Sequence, residues 1–211
     1  MNLGQIIIAV QRQFGDESGA QITRSDIVRW VNDAQVDITR KTECLQVHSE
    51  TDTLKGDGSY DVPFDFIKIR RVSYRGQRLV RTELEHLDNV EPRRDNEPDG
   101  SPKFFYVWGR RIFLYPRPSR SGEGKLEIYY VKMPDELVSD LDVPEIPPHM
   151  HEDIVRFCLI RAKELNEDDE KAQALSFEYD NRMAFSRDEA TSPEIESYPS
   201  VRDVDTEWGG W

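Results

Sequence analysis

The chain has 211 residues and a formal net charge of −13 at neutral pH, with 37% apolar and 33% charged side chains. This length suits one or two domains, and no apolar run approaches the roughly 18 residues that a membrane-spanning helix needs. The negative charge argues against broad affinity for nucleic acid, which depends on Lys and Arg neutralising phosphates.

Two amphipathic helices are predicted at the start of the chain, which lacks the basic region of a secretory signal. Apolar residues at spacings of three and four predict a first helix that Asn2 caps and Gly15 ends. A capping-box pattern of Thr23 and Asp26 predicts a second helix that runs to about Thr42. A helix-turn-helix DNA-binding motif is a weaker alternative, because the polar face of the second helix mixes acidic and basic residues.

A β-rich region is predicted next. Alternating residues at 45–54 and an apolar run ending at Tyr74 each predict a strand followed by a turn. Residues 82–90 show helical spacing. Three later runs of aromatic and β-branched residues predict an antiparallel meander, and they are 104–108, 112–115 and 126–131. We expect the strands of this region to form one sheet.

Two more helices and an arm are predicted to complete the chain. A proline-rich connector at 137–148 leads into a helix with apolar residues at helical spacing. Acidic residues 167–170 suit the first turn of the next helix, where the helix dipole favours negative charge, and its apolar spacing fades at about Arg187. Residues 188–211 carry seven acidic and one basic side chain without helical period, which predicts an extended segment.

These elements predict an α+β protein, namely a four-helix bundle with an inserted antiparallel β module and an extended C-terminal arm. Residues 1–43 and 148–187 are assigned to the helical bundle. Residues 44–147 are assigned to the β module with its connector, and residues 188–211 to the arm. Four helices would then flank one sheet.

The sequence offers no recognisable catalytic, cofactor or metal site. His149 and His151 are two residues apart, and residues at that spacing do not share a helix face. No P-loop or nucleophile-elbow motif occurs, and two cysteines are too few for a disulfide scaffold or a zinc cage. Paired carboxylates for glycoside hydrolysis stay an open alternative, because their separation cannot be read from 41 acidic residues. We predict a non-enzymatic protein without cofactor or metal.

Basic side chains are concentrated in the predicted β module. Residues 68–125 carry 14 basic and eight acidic side chains. They could line a path for a polyanion or form a solvated sheet face. We favour a third interpretation, in which they meet acidic surfaces of neighbouring copies, because charge complementarity fixes the register of an interface. The predicted subunit-interface residues are Arg70, Arg71, Arg110 and Arg111.

Several phrases of the sequence resemble one protein family. They are IVRWVNDAQVDITR, YDVPFDFIKIRRV, GSPKFFYVWGRRIFLYPRP, LEIYYVKMPDEL and DVPEIPPHMHEDIV. With the order of the elements from about residue 3 to residue 187, they resemble the head-to-tail adaptor (connector) proteins of tailed bacteriophages. The resemblance implies a virion structural protein in the neck between capsid and tail, built in the host cytoplasm during assembly.

The resemblance also implies partners. It implies a twelve-membered homo-oligomeric ring under the portal protein, with the β module facing a tail or nozzle protein and no contact with a membrane. Genomic double-stranded DNA would pass through the lumen during ejection without sequence-specific binding. The C-terminal arm would dock on the portal, and we choose its apolar residues as anchors because interface centres bury such side chains. These are Ile195, Tyr198, Val201, Val204, Trp208 and Trp211. The alternative function is a non-enzymatic regulatory or protein-binding module with a disordered acidic tail.

Overall fold

The computed structural model describes residues 1–90 and 99–191, and most of its helices pack together into one body. The helices are α1 (Leu3–Phe14), α2 (Arg24–Thr42), α3 (Leu84–Val90), α4 (His151–Leu165) and α5 (Asp169–Thr191). Helices α1, α2, α4 and α5 form what we call the helical body, whereas α3 lies within the β region of the chain. A short 3-10 turn, Pro148–Met150, leads into α4.

The first two helices begin and end at the residues that the sequence predicts. The Asn2 side chain accepts a hydrogen bond from the Gln5 amide, and the Gln5 side chain accepts one from the Asn2 amide, both at 2.9 Å. Gly15 follows α1 with a φ of 91°, a conformation that costs glycine little. Thr23 accepts a hydrogen bond from the Asp26 amide at the start of α2. These three predicted caps, Asn2, Gly15 and Thr23, are therefore confirmed.

The turn between α1 and α2 is held by one buried carboxylate. Asp16 accepts backbone hydrogen bonds from Ala20, Gln21 and Ile22 at 3.0, 2.6 and 2.9 Å. The bond from the Ile22 amide is the main reason that the pKa of Asp16 is lowered to about 2. The carboxylate thus stays ionised and satisfies three amides that the turn leaves without helix partners.

The strands form two four-stranded sheets. In chain order they are β1 (Gln46–Thr53), β2 (Ser59–Asp61), β3 (Phe66–Tyr74), β4 (Gln77–Arg78), β5 (Val80–Arg81), β6 (Phe104–Trp108), β7 (Arg111–Tyr115) and β8 (Gly122–Lys132). The first sheet has the order β1-β8-β3-β4, and the second has the order β2-β7-β6-β5. All neighbours are antiparallel except β5 and β6, which are parallel.

The expected four-helix bundle with a single inserted β module is wrong, although the fold is α+β. The described residues form five helices and two multi-stranded sheets. The predicted meander breaks at its third run, because β8 leaves β7 and pairs with β1 and β3. Pro116 and Pro118 lie at this break, and neither has the N–H that a continuing ladder requires.

The two sheets face each other across a shared apolar core and form a β-sandwich. Residues from both sheets make up this core, including Ile69, Val72, Ile128, Phe105, Ile112 and Leu114. Leu126, Ile128, Val72 and Ile112 have no measurable exposure. Burying both inner faces explains why β3, β7 and β8 are rich in β-branched and aromatic residues.

The helical body has its own core, with α2 and α4 at its centre. Helices α1 and α5 each pack against both central helices, on opposite sides of the pair. Ile6, Ile38, Ile154 and Met183, one from each of the four helices, are at most 1% exposed. The body is thus a continuous apolar cluster that α1 closes on one side and α5 closes on the other.

The chain enters and leaves the sandwich at neighbouring points. The Lys132 amide at the end of β8 donates to the Leu45 carbonyl just before β1, at 2.9 Å. The chain then continues as a linker, residues 133–147, without helix or strand. The Asn32 side chain on α2 donates to the Leu137 carbonyl at 3.1 Å and accepts from the Leu137 amide at 2.9 Å. These two bonds fix the linker to the helical body.

Candidate interaction surfaces

One buried carboxylate joins the helical body to the sandwich. Glu43 follows α2 with a φ of 58° and is 3% exposed. Its Oε1 is 2.6 Å from Nζ of Lys68, and its Oε2 is 2.7 Å from Nη1 of Arg70, both on β3. Arg187 on α5 approaches Oε1 to 4.0 Å. A single side chain at the end of α2 therefore contacts two other elements, β3 and α5.

The charges at this joint keep Glu43 ionised. Burial by itself raises the pKa of Glu43, but the hydrogen bond from Lys68 and the charges of Arg70 and Lys68 outweigh it, so the net pKa is lowered. The basic side chains are themselves partly exposed, at 47% for Lys68 and 39% for Arg70. Solvent therefore screens the attraction, and the joint is weaker than a fully buried ion pair.

The first pair of predicted interface arginines lies on β3. Arg70 is already paired with Glu43, so part of its charge is used within the molecule. The guanidinium of Arg71 lies 5.4 Å from the centroid of the Tyr129 ring, and its Nε donates to Oγ of Ser73 at 3.1 Å. Arg71 thus lies over Tyr129 on the outer face of the first sheet.

The second pair lies at the turn between β6 and β7, on the other sheet. Nη2 of Arg110 donates to the Phe64 carbonyl at 3.0 Å. Nε of Arg111 is 3.4 Å from a carboxylate oxygen of Asp61. The structure therefore does not bring the four arginines together but divides them between two sheets. Phe64 and Trp108 beside this turn are 87% and 65% exposed.

Sequence reasoning missed an aromatic layer on the outer face of the second sheet. The Tyr106 and Phe113 rings stack with centroids 4.9 Å apart, and Phe104 lies opposite Tyr115 in the ladder. Leu87 of α3 is only 4% exposed, and together with Tyr106 and Phe113 it lines a small hollow. The helical spacing at 82–90 indicates α3, but nothing local in the sequence shows which sheet face it lies near.

An open groove of about 740 Å³ lies beside α3. Its walls come from the start of α3, the residues before it and the end of β6, and the lining residues are Arg81, Thr82, Glu83, Leu84, Glu85, His86, Tyr106, Val107 and Trp108. The charges in these walls have both signs. The groove therefore has no charge preference that would select a cationic or an anionic ligand.

Of the two neighbouring histidines, His149 and His151, the structure gives His151 a structural role. Nε2 of buried His151 is 3.0 Å from the Ile146 carbonyl, to which it donates, and burial lowers the pKa of His151.

Across residues 1–90 and 99–191 no group of three or more His, Cys, Asp or Glu is placed to hold a metal ion. None of the helices described has both the length and the apolar character for a membrane crossing.

The predicted portal anchors lie outside the described residues. They are Ile195, Tyr198, Val201, Val204, Trp208 and Trp211. Helix α5 continues to Thr191, four residues past the point at which its apolar spacing fades. The 20 residues that follow α5 carry five acidic and one basic side chain.

Comparison with known proteins decides the family. The family model for the SU10 adaptor protein matches residues 1–197, which include both the helical body and the sandwich. The chain belongs to the SU10 adaptor protein family. A search of curated proteins finds no match.

Membership of the SU10 adaptor protein family confirms the resemblance to phage head-to-tail adaptors. The family is one of bacteriophage structural adaptors, so the chain is a virion component that interacts with other head–tail proteins. Structural adaptors are generally non-enzymatic. The interaction surfaces described above are therefore the candidates for function.

Proposed function

We propose that the chain is a head-to-tail adaptor that assembles as a twelve-membered ring between the portal and the tail, with the phage genome passing through its lumen. The match to the SU10 adaptor family over residues 1–197 carries this proposal. The division into a helical body and a β-sandwich supports it, because a two-part subunit offers one part to each neighbour along the neck.

Docking on the portal is the role that we propose for the C-terminal arm. Helix α5 ends at Thr191, and the 20 residues beyond it can span at most about 70 Å when fully extended. Six apolar or aromatic residues are spaced along them, from Ile195 to Trp211. Large aromatic side chains supply much of the binding energy at interface centres, so Tyr198, Trp208 and Trp211 are the proposed anchors.

We propose that the predicted interface arginines contact a neighbouring copy and that they differ in how much they contribute to this contact. Arg70 is engaged by Glu43, whereas Arg110 forms only a hydrogen bond to the Phe64 carbonyl among the contacts described. Arg110, next to exposed Trp108, is the better placed of the two to meet an acidic surface. Arg71 and Arg111 complete the proposed set.

Truncation after Thr191 tests the proposed docking. The described fold ends at this residue, so we expect residues 1–191 to keep the helix content and unfolding midpoint of the full chain. Binding to purified portal rings should fall at least tenfold, because the anchors are gone. Circular dichroism and a sedimentation binding assay measure the two quantities.

A matched pair of variants separates the anchors from the length of the arm. Replacing Tyr198, Trp208 and Trp211 by Ala should reproduce the loss of portal binding. Replacing Ser200 and Thr206 by Ala in the same segment should leave binding unchanged. Full portal affinity in the truncated chain would refute the docking role, and absence of the protein from purified virions would refute the adaptor function itself.

A further inference from the structure

Helix α5 is apolar on two opposite faces. Tyr179 and Met183 face the core and are 2% and 1% exposed. Phe177 is two residues before Tyr179, and Phe185 is two residues after Met183. A step of two residues turns a helix of 3.6 residues per turn by about 200°, so each phenylalanine points away from its neighbouring core residue. These phenylalanines are 72% and 67% exposed. We call them, with the exposed Ala174 and Ala184 between and beside them, the α5 patch.

The exposed area of the α5 patch suits the centre of a protein interface. A whole phenylalanine has roughly 200 Å² of surface, so the two rings together expose about 280 Å². A standard interface covers about 800 Å² on each partner, with an apolar centre and a polar rim. Two phenylalanines about 12 Å apart on one rigid helix can form that centre.

A second apolar patch lies on the other side of the helical body, at α1. The linker runs along the first turn of α1, where the Leu3 and Gly4 amides donate to the carbonyls of Asp142 and Asp140 at 2.8 and 3.0 Å. Three linker side chains there are exposed, Val138 at 78%, Leu141 at 80% and Val143 at 59%, as is Ile8 of α1 at 50%. These four residues are the α1 patch.

The two patches lie on opposite sides of one rigid unit. Helices α1 and α5 flank the central pair α2 and α4, and both are packed against it through buried residues. Two different apolar surfaces on opposite sides of a subunit give a head-to-tail contact, which repeats from copy to copy and closes into a ring when the rotation allows.

We propose that the α5 patch of one copy docks on the α1 patch of the next copy. This inference rests on the proposed ring and names the surfaces that build it. A second copy is the occupant that we infer, because each chain carries two separate exposed apolar surfaces, and each surface can cover the other one in a neighbouring copy. The arginines of the sandwich then lie outside the apolar centre of this contact and act on register.

Two half-blocked variants test the head-to-tail contact in the full chain. F177S/F185S removes the α5 patch and keeps the α1 patch, whereas V138S/L141S does the reverse. We expect the unsubstituted chain to form oligomers at high concentration in sedimentation velocity, and each variant alone to be a monomer with at least a tenfold loss of association. An equimolar mixture of the two variants should form dimers and nothing larger, because one intact junction remains.

Controls separate loss of the contact from loss of fold. L54S/V80S removes two exposed apolar residues of the sandwich, 62% and 58% exposed, and should assemble like the unsubstituted chain. All substituted side chains are exposed, so circular dichroism and the unfolding midpoint should not change.

The outcomes distinguish this inference from the proposed function. A mixture that stays monomeric, a half-blocked variant that assembles fully, or an unsubstituted chain that stays monomeric throughout would overturn the contact. None of these results would remove the protein from the virion neck. Absence from virions, by contrast, would overturn the adaptor function whatever the solution assembly shows.

Discussion

At the scale of single residues, Glu43 is a buried side chain that links the helical body to the sandwich. It ends α2 in a left-handed conformation that residues other than Gly and Asn seldom adopt. Contacts to Lys68 and Arg70 on β3 hold it there. The local backbone cost is therefore offset by contacts with a different part of the chain.

Replacing Glu43 by Gln should destabilise the protein. Glutamine keeps the size of the side chain but leaves Lys68 and Arg70 without a counter-charge. We expect a loss of about 1–2 kcal/mol in the free energy of unfolding, less than for a fully buried pair because both basic partners are partly exposed. Urea unfolding at pH 7 measures it.

The pH dependence of this loss has a definite sign. Because the pKa of Glu43 is lowered by folding, its contribution is fully present above the unfolded value of about 4.3 and is lost as pH falls through the folded value. The stabilities of the two proteins should thus begin to converge as the pH falls below about 4.3 and should coincide below the folded pKa of Glu43. Glu50→Gln, at an exposed position on β1, should change stability by less than about 0.5 kcal/mol. A constant difference from pH 7 to pH 2 would contradict the ionic role.

Some of these residues could be predicted from the sequence, and others could not. Asn2, Gly15 and Thr23 act on their own helices within a few residues, so a local pattern reveals them. Glu43 meets partners 25 or more residues away, and glutamate is not a residue whose type indicates a left-handed backbone. Its position as a joint is a property of the folded chain alone.

At the scale of elements, α5 should respond differently on its two faces. Met183→Ala removes a buried side chain and should cost about 2–5 kcal/mol of unfolding free energy. Phe177→Ala removes a larger but exposed side chain and should change it by less than about 0.5 kcal/mol. Denaturant unfolding of dilute monomer compares them. Equal losses would show that Phe177 is packed within its own molecule.

The positions of most elements could be predicted, but the sheet to which each strand belongs could not. Alternation and β-branched residues mark β1, β3 and β8 without showing their partners. The three runs from 104 to 131 are consecutive, and consecutive strands usually pair, so one meander was the natural prediction. The core contacts of β8 with β1 and β3 outweigh this tendency.

At the scale of the whole molecule, the net charge of −13 bears on the proposed passage of the genome. In the proposed ring, a lumen surrounded by negative subunits would repel phosphate, so that DNA slides without adhering. We expect the full chain to bind double-stranded DNA more weakly than about 0.1 mM at physiological salt. Residues 1–191 keep a net charge of −9, since the removed segment carries five acidic and one basic residue. We expect this truncated chain to bind double-stranded DNA as weakly as the full chain does. A tighter complex in an electrophoretic mobility assay would contradict free passage.

The hydrogen bond between Lys132 and Leu45 holds together the two points at which the chain enters and leaves the sandwich. The polypeptide leaves the helical body and returns to it through two adjacent strand ends, beside the contacts of Glu43 with Lys68 and Arg70. Another small domain whose termini lie side by side can connect to the same two chain ends, provided that it also supplies basic partners for Glu43. Exchange of the sandwich for another domain by recombination would therefore keep the chain connections of the helical body unchanged.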